Sequence, residues 1–504
     1  MAILSLFGTA KMKKIFKELH TPVWLLSLLI ALLILRIPSF FEPYSYGDEM
    51  IYLTLGKAIR RGVPLYKGVH DNKPPLLYIL AAISGSLFWF KVILAIWSLV
   101  TVFVFWKLTK ALFPQNTKLQ KVATLIFGIL TTIPLLEGNI INAELFMIGP
   151  IILGFLILLT KKLSNKNIFI SGILFSIATL FKVPAAFDIP AIIIFWLCTM
   201  PLNKKGIKTI GKNTLILALG FATPIAITFV WYFLRGAFKE YLIAAFLQNF
   251  GYLSSWRPSE TSKPFLVKNA PLLLRAGIVF LGNLILFWKR KRLSRQFILI
   301  TSWLLFSLFA VTLSERPYPH YLIQSVGPIA FLFAMLFTLK NFEQILSIVP
   351  LTLFSFVPVY FHFWYYPTSS YYVRFIKLAT GRITKDTYLS SFGRNVQNNY
   401  KIAEFVSNSS WKEDKIFVWG EDSSTIYALT KRLPPGKYVA TYHIKDFSTP
   451  DELLATLMKD PPKFIIILPN SDPPVNLIFF VKTFYKHIET FGGAQIWSRP
   501  SPVK

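Results

Sequence analysis

Residues 22–40 read PVWLLSLLIALLILRIPSF and contain one charged side chain, Arg36. Because an α-helix rises about 1.5 Å per residue, a run of this length can cross the hydrocarbon core of a bilayer, which is about 30 Å thick. A lysine-rich segment at 11–17 precedes the run, and no small-residue cleavage site accompanies it. We therefore predict a retained first transmembrane helix rather than a cleaved signal peptide.

The whole chain shares this apolar character. Hydrophobic residues make up 54% of its 504 residues and charged residues 15%, whereas about 25% charged residues are typical of soluble chains. The formal charge of +30 would by itself suit a nucleic-acid-binding protein, but one water-soluble core cannot bury so much apolar surface. Aromatic residues at 16% exclude disorder, and the single cysteine, Cys198, excludes disulfide frameworks and Cys-based metal sites. The composition predicts an α-helical polytopic membrane protein without a nucleic-acid partner.

Eleven apolar runs are candidates for transmembrane helices. They cover residues 22–40, 91–112, 120–137, 145–160, 168–183, 185–200, 213–233, 271–288, 296–313, 321–339 and 343–362. If the N-terminus is cytoplasmic, the connections on that side should be rich in Lys and Arg. Four of them are, at 107–121, 161–166, 204–212 and 289–295. We therefore predict a multi-pass protein of the plasma membrane, with a cytoplasmic N-terminus, basic loops on inner-leaflet lipid and an extracytoplasmic C-terminus.

The segment 74–90 is apolar but short. Counting it as a span would place the basic loop 107–121 outside and invert every later basic loop. We therefore interpret 74–90 as an interfacial helix that lies on the outer leaflet.

The last part of the chain has the character of a soluble domain, because it holds twelve of the 24 acidic residues. Its runs KIFVWG (415–420) and KFIIILP (463–469) predict buried strands, and Thr449 is expected to cap a helix. We expect two domains, a membrane module at 1–366 and a small extracytoplasmic α/β domain at 367–504.

The charged residues of the first outer loop, 41–90, are the most informative for function. Asp48 and Glu49 lie in the motif YGDEMIY (46–52), and Asp71 and Lys73 lie in HDNKPPLLY (70–78). Two acidic points joined by a short helix can face one another across a cavity, where a carboxylate serves as a general base. Alternatively, Asp48 caps a helix and Asp71 pairs with Lys73 at the surface. The residues alone leave both interpretations open.

These motifs resemble those of the polyprenyl-phosphate-sugar-dependent glycosyltransferases of the GT-C fold, a family that includes protein O-mannosyltransferases and the lipid A aminoarabinose transferase. The similar features are Gly47-Asp48-Glu49 after the first span, Gly62-x-Pro64-x-Tyr66, Asn72-Lys73-Pro74-Pro75-Leu76, Asn142-Ala143-Glu144, Lys182, Arg316 and His320-Tyr321. The resemblance covers roughly residues 20–340, and its most specific part is the first loop.

The resemblance implies transfer of a hexose or pentose from a polyprenyl-phosphate donor to a hydroxyl of a glycan, lipid or protein, with inversion. It implies that Asp48 is the catalytic base, with Glu49 as the fallback. The residues expected to bind acceptor or sugar are Asp71, Asn72, Asn142 and Glu144, and which of Asp71 and Asn72 occupies the second site position stays open. The residues expected to bind the lipid phosphate are Lys73, Lys182, Arg316, His320 and Tyr321.

No cofactor and no metal site are predicted, although a divalent ion shared by Asp48 and Asp71 stays an alternative. Two other functions are compatible with a polytopic chain, namely a transporter or lipid-linked-sugar flippase, and a scaffold whose outer domain binds a partner. A transporter is expected to carry ionisable groups at mid-membrane and often internal repeats. Here the charges gather at the ends of spans and the two halves differ, so the transferase is preferred.

Overall fold

A computed structural model describes residues 21–251 and 264–500, so the lysine-rich segment 11–17 lies outside the described residues. The first half of the membrane module comprises α1 (Val23–Arg36), α2 (Gly47–Arg60), α3 (Leu76–Ser84), α4 (Leu87–Leu112), α5 (Thr117–Leu130), α6 (Ala143–Thr160), α7 (Asn165–Phe181) and α8 (Pro190–Thr199). Short 3₁₀ helices lie at Ile37–Phe41, Pro134–Leu136 and Val183–Asp188.

The second half contains α9 (Lys204–Leu234), α10 (Phe238–Leu242), α11 (Gln248–Gly251), α12 (Phe265–Trp288), α13 (Arg295–Thr312), α14 (Ile323–Thr338), α15 (Phe342–Leu346) and α16 (Ile348–Tyr360). A π-helical turn, Ile243–Leu247, joins α10 to α11, and a 3₁₀ helix, Pro319–Leu322, precedes α14.

The helical membrane architecture is confirmed, since every predicted run coincides with a helical segment. Within the described residues, eight helical segments are long and apolar enough to cross a membrane. Three runs form shorter helices, at α5, α7 and Val183–Thr199. The run 120–137 was expected to continue as one span, but α5 ends at Leu130. A 3₁₀ turn begins at Pro134, which cannot donate the backbone hydrogen bond that a longer helix requires.

The prediction that a single helix covers 74–90 is wrong, because two helices share this segment. Gly85 ends α3 in the left-handed conformation, with φ of 70°, and the Ser86 side chain accepts a hydrogen bond from the Trp89 amide to open α4. A residue with a Cβ is disfavoured at such a φ, so the chain breaks at glycine. The short helix α3 packs against α2, and these two helices hold both halves of the first loop together.

Helices α7 and α9 pack closely where each presents a glycine. A Cβ at Gly172 would lie 2.3 Å from the Leu217 carbonyl oxygen, and one at Gly220 would lie 2.2 Å from the Phe169 carbonyl oxygen. Small residues let helix backbones approach within a membrane, where van der Waals packing replaces the hydrophobic effect as the main attraction. The exposed apolar side chains of α9 and α12 are consistent with a lipid-facing surface.

The C-terminal domain begins with α17 (Thr368–Ala379), α18 (Lys385–Ser390) and α19 (Val396–Asn408). It continues with β1 (Ile416–Trp419), α20 (Ser423–Thr430), α21 (Thr441–Phe447), α22 (Pro450–Lys459), β2 (Phe464–Ile467), α23 (Val475–Phe484), β3 (Lys486–Phe491) and β4 (Ala494–Ser498). The sheet order is β1-β2-β4-β3, with β1 and β2 parallel and the other pairs antiparallel.

Both predicted strands of this domain are present, and Thr449 caps α22 through a reciprocal capping box with Glu452. The hairpin of β3 and β4 was not predicted, because β3 is almost entirely exposed and lacks an apolar stripe. Gly492 and Gly493 supply the positive φ values that its turn requires.

Candidate active site

A cavity of about 780 Å³ lies where the first loop, several helix ends and the C-terminal domain meet. Its walls come from the start of α2, the segment 72–74, the start of α6, the 3₁₀ helix Val183–Asp188 and the segment 309–324. Two residues of α21 also line the cavity, as do Phe246, Asn249 and Leu272. In this membrane module the helix ends carry charged and polar side chains, whereas the helix middles are apolar. A cavity at the helix ends can therefore be lined by the polar groups that binding and catalysis require.

Asp48 lies in the first turn of α2 and faces this cavity. The Tyr52 hydroxyl, one helical turn further on, donates a 2.8 Å hydrogen bond to Asp48 Oδ2, and Lys73 Nζ lies 3.4 Å from the same oxygen. Burial alone would raise the pKa of Asp48, but the Lys73 charge, the Tyr52 hydrogen bond and His320 lower it to about 2. Asp48 is therefore an ionised carboxylate at neutral pH, which can accept a hydrogen bond from a substrate hydroxyl.

Lys73 is held between two carboxylates, because its Nζ also lies 3.8 Å from Asp71 Oδ2. Burial alone would lower the pKa of Lys73, whereas the charges of Asp48 and Asp71 raise it well above its usual range. The ammonium group also lies 5.1 Å from the centre of the Tyr52 ring. Lys73 thus brings a permanent positive charge to the cavity wall, beside the predicted base.

A second charged cluster lies on the same cavity. Lys182 pairs with Glu144, and its Nζ lies 3.9 Å above the centre of the Tyr321 ring. His320 pairs through Nδ1 with Glu137, and its Nε2 lies 4.0 Å from Glu144 Oε1. These contacts join α6, the end of α7 and the segment before α14 into one polar wall.

Nine of the predicted site residues line the cavity, namely Asp48, Asn72, Lys73, Asn142, Glu144, Lys182, Arg316, His320 and Tyr321. The structure thus brings together residues that lie up to 273 positions apart in sequence, from Asp48 to Tyr321.

Glu49 does not line the cavity, contrary to its expected role as fallback base. It is buried, lies 2.5 Å from Lys91 Nζ and accepts a 2.7 Å hydrogen bond from the Ile141 amide. Successive residues of a helix point about 100° apart, so Asp48 can face the cavity only if Glu49 faces elsewhere.

Asp71 also lies behind the cavity wall rather than on it. Its Oδ2 accepts a 2.7 Å hydrogen bond from the Tyr78 hydroxyl, and its Oδ1 accepts one of 2.8 Å from the Asn72 amide. Asn72 does line the cavity, so of the two residues left open it is the one placed to contact a ligand. Asp71 instead positions Lys73.

Among the polar residues that were absent from the predicted site, four line the cavity or support its wall in ways that bear on function. Tyr46 lines the cavity and donates a 3.0 Å hydrogen bond to Glu137, which in turn orients His320. Tyr442 and Asp446 line it from the C-terminal domain. Glu137 had a detectable signal, because it is an acid in a turn at the end of a run, whereas nothing local marks Tyr442 or Asp446.

No group of three or more His, Cys, Asp or Glu side chains in residues 21–251 and 264–500 is arranged to hold a metal ion. The ammonium group of Lys73 contacts both Asp48 and Asp71, so an ion shared by these carboxylates would have to displace it.

The architecture matches solved membrane-enzyme structures over nearly its whole length. ArnT from Cupriavidus metallidurans bound to undecaprenyl phosphate is similar with a TM-score of 0.59 at 13% identity, covering 95% of this chain and 98% of that one. The chain has the GT-C fold. The apo state of the same ArnT matches this GT-C chain with a TM-score of 0.54 at 12% identity, covering 94% and 97%.

A more distant similarity is to the apo oligosaccharyltransferase from Archaeoglobus fulgidus, with a TM-score of 0.44 at 13% identity, covering 89% of this GT-C chain and 70% of that chain. Residues 396–495 match the Ccs4_C family, whose description names the C-terminal domain of the competence-induced protein Ccs4. No curated protein matches the chain in sequence.

Proposed function

We propose that this multi-pass membrane protein is a glycosyltransferase that moves a hexose or pentose from a polyprenyl-phosphate donor to an acceptor hydroxyl, with inversion at the anomeric carbon. One observation carries the proposal: an ionised carboxylate, Asp48, shares a cavity wall with the cations Lys73, Lys182 and Arg316. Such a pairing supplies both requirements of transfer from a phosphate, a hydrogen-bond acceptor for the nucleophile and positive charge for the leaving group.

The leaving group needs cations more than it needs an acid. When the bond between the anomeric carbon and the phosphate oxygen breaks, negative charge accumulates on the phosphate. Lys73 and Lys182 stand ready to stabilise that charge, although each is paired with a carboxylate in this structure. A bound phosphate would compete with those carboxylates for the ammonium groups, and Arg316 adds a fork-shaped donor suited to phosphate oxygens.

Asp48 acts on the acceptor hydroxyl rather than on the donor phosphate. The acceptor hydroxyl donates a hydrogen bond to the Asp48 carboxylate while its oxygen attacks the anomeric carbon, and the bond to phosphate breaks on the opposite face. The proton passes to Asp48. Because the pKa of Asp48 is about 2, the proton then moves on to water or to the released polyprenyl phosphate, whose second pKa is about 6 by analogy with phosphorylated side chains.

Polar residues between these groups are placed to hold sugar hydroxyls. Asn72, Asn142 and Glu144 line the cavity, and amide and carboxylate groups together donate and accept hydrogen bonds. The basic loops predicted for the cytoplasmic side support a site on the extracytoplasmic face, where a lipid-linked donor and an envelope glycan, lipid or protein could meet.

The test is sugar transfer in vesicles of the source cells, supplied with undecaprenyl-phosphate-linked radiolabelled hexoses and pentoses. We expect Asp48→Asn to reduce transfer about 10²–10⁴-fold, with unchanged amounts of protein in the membrane. Asp386→Asn makes the same chemical change at an exposed position and should transfer normally. Normal transfer by Asp48→Asn would remove Asp48 as the base, and the absence of any transfer by the wild type would refute the proposed reaction.

A further inference from the structure

The C-terminal domain contributes a wall of the cavity through α21. Tyr442 and Asp446 lie four residues apart on this helix, so both project from one face, and both line the cavity. Tyr442 is 46% exposed and Asp446 is also exposed to the open cavity. His443, on the adjacent face, is buried against the first loop.

The position of α21 relative to Asp48 is fixed by a chain of polar contacts. His443 Nε2 lies 3.5 Å from Asp71 Oδ1, Asp71 contacts Lys73, and Lys73 contacts Asp48. Next to this chain, the His70 amide donates a 2.8 Å hydrogen bond to the Lys437 carbonyl oxygen. The first loop and the segment that leads into α21 are thus joined by main-chain pairing as well as by side chains.

Further contacts hold the whole domain against α2. Arg61 donates hydrogen bonds of 2.7 and 3.2 Å to the carbonyl oxygens of Lys412 and Lys431, and α20 packs along α2. Since Asp48 is at the start of that same helix, Tyr442 and Asp446 stand at a defined place beside the base.

We propose that Tyr442 and Asp446 form a carbohydrate subsite that holds the acceptor next to Asp48, an assignment that rests on the proposed glycosyl transfer. An aromatic ring offers a flat apolar face to a sugar ring, and an ionised carboxylate accepts hydrogen bonds from two neighbouring hydroxyls. The subsite lies beside the base, because His443 of α21 contacts Asp71, which adjoins the pair of Lys73 and Asp48, and the base must meet the acceptor. The lipid phosphate of the donor would bind Lys182 and Arg316 together with Lys73, and all three belong to the membrane module. The acceptor of this enzyme is therefore a glycan, and the C-terminal domain selects it.

Binding by the full chain in nanodiscs tests this assignment with two separate probes, undecaprenyl phosphate and a panel of free mono- to tetrasaccharides followed by saturation-transfer NMR. We expect the wild type to bind at least one saccharide. Asp446→Asn should weaken binding of that saccharide about tenfold, as loss of one hydrogen bond to a charged group would. Tyr442→Ala should weaken it by a similar factor, because it removes the apolar ring face against which the sugar packs. The affinity for undecaprenyl phosphate should stay within about twofold. The matched controls, Asp472→Asn and Tyr365→Ala, change exposed residues that do not line the cavity and should bind both probes normally.

A non-transferable donor analogue, an undecaprenyl phosphonate sugar, distinguishes an acceptor site from a donor-sugar site. We expect the saccharide to remain bound when the analogue is added, whereas its displacement would overturn the acceptor assignment. Saccharide binding that is absent in the wild type, or unchanged in both α21 variants, would overturn the subsite itself. Failure of the proposed function has a different signature, which is wild-type protein that does not bind undecaprenyl phosphate.

Discussion

Two lysines on or beside the first loop each contact two carboxylates. Lys91 with Glu42 and Glu49 forms a cluster that is buried from solvent, here called the closed cluster. Lys73 with Asp48 and Asp71 forms a cluster that is partly exposed to the cavity, here called the open cluster. Lys91 contacts Glu42 at 2.8 Å and Glu49 at 2.5 Å, and it donates a 2.8 Å hydrogen bond to the Asn139 carbonyl oxygen. The side chain of Lys91 is 0% exposed and that of Glu49 is 1% exposed. Lys73 contacts Asp48 and Asp71, but its side chain is 19% exposed and that of Asp48 is 32% exposed.

This difference in exposure indicates that lysine and carboxylate residues stabilise the fold in one cluster and contact ligands in the other. In the closed cluster two buried carboxylates share the ammonium group of Lys91, and Tyr371 and Asn139 donate further hydrogen bonds to Glu42. In the open cluster Asp48 and Lys73 keep one side towards the cavity, where a substrate can replace a protein contact. We therefore expect the closed cluster to govern stability and the open cluster to govern binding and turnover.

The largest effect on stability is expected from Lys91→Met. Removing this ammonium group leaves the buried carboxylates of Glu42 and Glu49 facing each other without a counter-charge, which should destabilise the protein by about 3–5 kcal/mol. The matched variant Lys73→Met leaves Asp48 in contact with the cavity, and Asp71 keeps its hydrogen bonds from Tyr78 and the Asn72 amide. It should therefore destabilise the protein less, while weakening the binding of undecaprenyl phosphate about tenfold or more. Thermal unfolding in detergent and a lipid-binding assay measure both effects. Equal destabilisation by the two variants would contradict the assignment of stability to the closed cluster and of binding to the open cluster.

A pH effect is expected where the open cluster meets the C-terminal domain. Burial and the neighbouring imidazole of His443 lower the pKa of His70 to about 4, from 6.5 in the unfolded chain. Between these values the unfolded state binds a proton that folded His70 does not, so stability rises with pH across this window. As the pH falls from about 6.5 to about 4, His70 should therefore contribute a loss of about 3 kcal/mol.

The measurement is the melting temperature of the full chain at pH 7 and pH 5. We expect His70→Gln to melt with a weaker dependence on pH than the wild type, and the exposed His362→Gln to retain the wild-type dependence. An unchanged pH dependence in His70→Gln would show that other groups dominate acid destabilisation and that this junction is not the sensitive one.

A smaller effect is expected from removing one hydroxyl from each cluster. Tyr371→Phe removes the 2.5 Å hydrogen bond to Glu42 and should destabilise the protein by about 2 kcal/mol without changing transfer by the folded protein. Tyr52→Phe removes the 2.8 Å hydrogen bond to Asp48 and should change the transfer rate more than the melting temperature. The reverse pattern, in which Tyr371→Phe slows transfer at unchanged stability, would contradict the roles given to the two clusters.

Much of the membrane fold could be predicted from the sequence, because apolar runs of spanning length are local features. The break at Gly85 was missed, since an apolar segment reads the same whether or not a left-handed glycine divides it. Asp48 and the cations predicted to bind the lipid phosphate were identified through short motifs, and they line one cavity. The absence of Glu49 from the cavity lining was not predicted. Helical spacing shows that Asp48 and Glu49 point in different directions, but it does not show which of them faces the cavity.

The contributions of the C-terminal domain could not be predicted at all. Tyr442 and Asp446 reach the cavity only because distant contacts, such as Arg61 with the Lys431 carbonyl oxygen, dock the domain on α2. No local pattern encodes such a contact between residues that are 370 positions apart.

In the proposed reaction, the open cluster around Lys73 receives the donor's phosphate beside Asp48. An experimental structure of the full chain with undecaprenyl phosphate bound tests it most directly. We expect phosphate oxygens within hydrogen-bond distance of Lys73 and of at least one of Lys182 and Arg316, with Asp48 still facing the cavity. A phosphate bound away from all three cations, with the contacts of Lys73 to Asp48 and Asp71 unchanged, would contradict it.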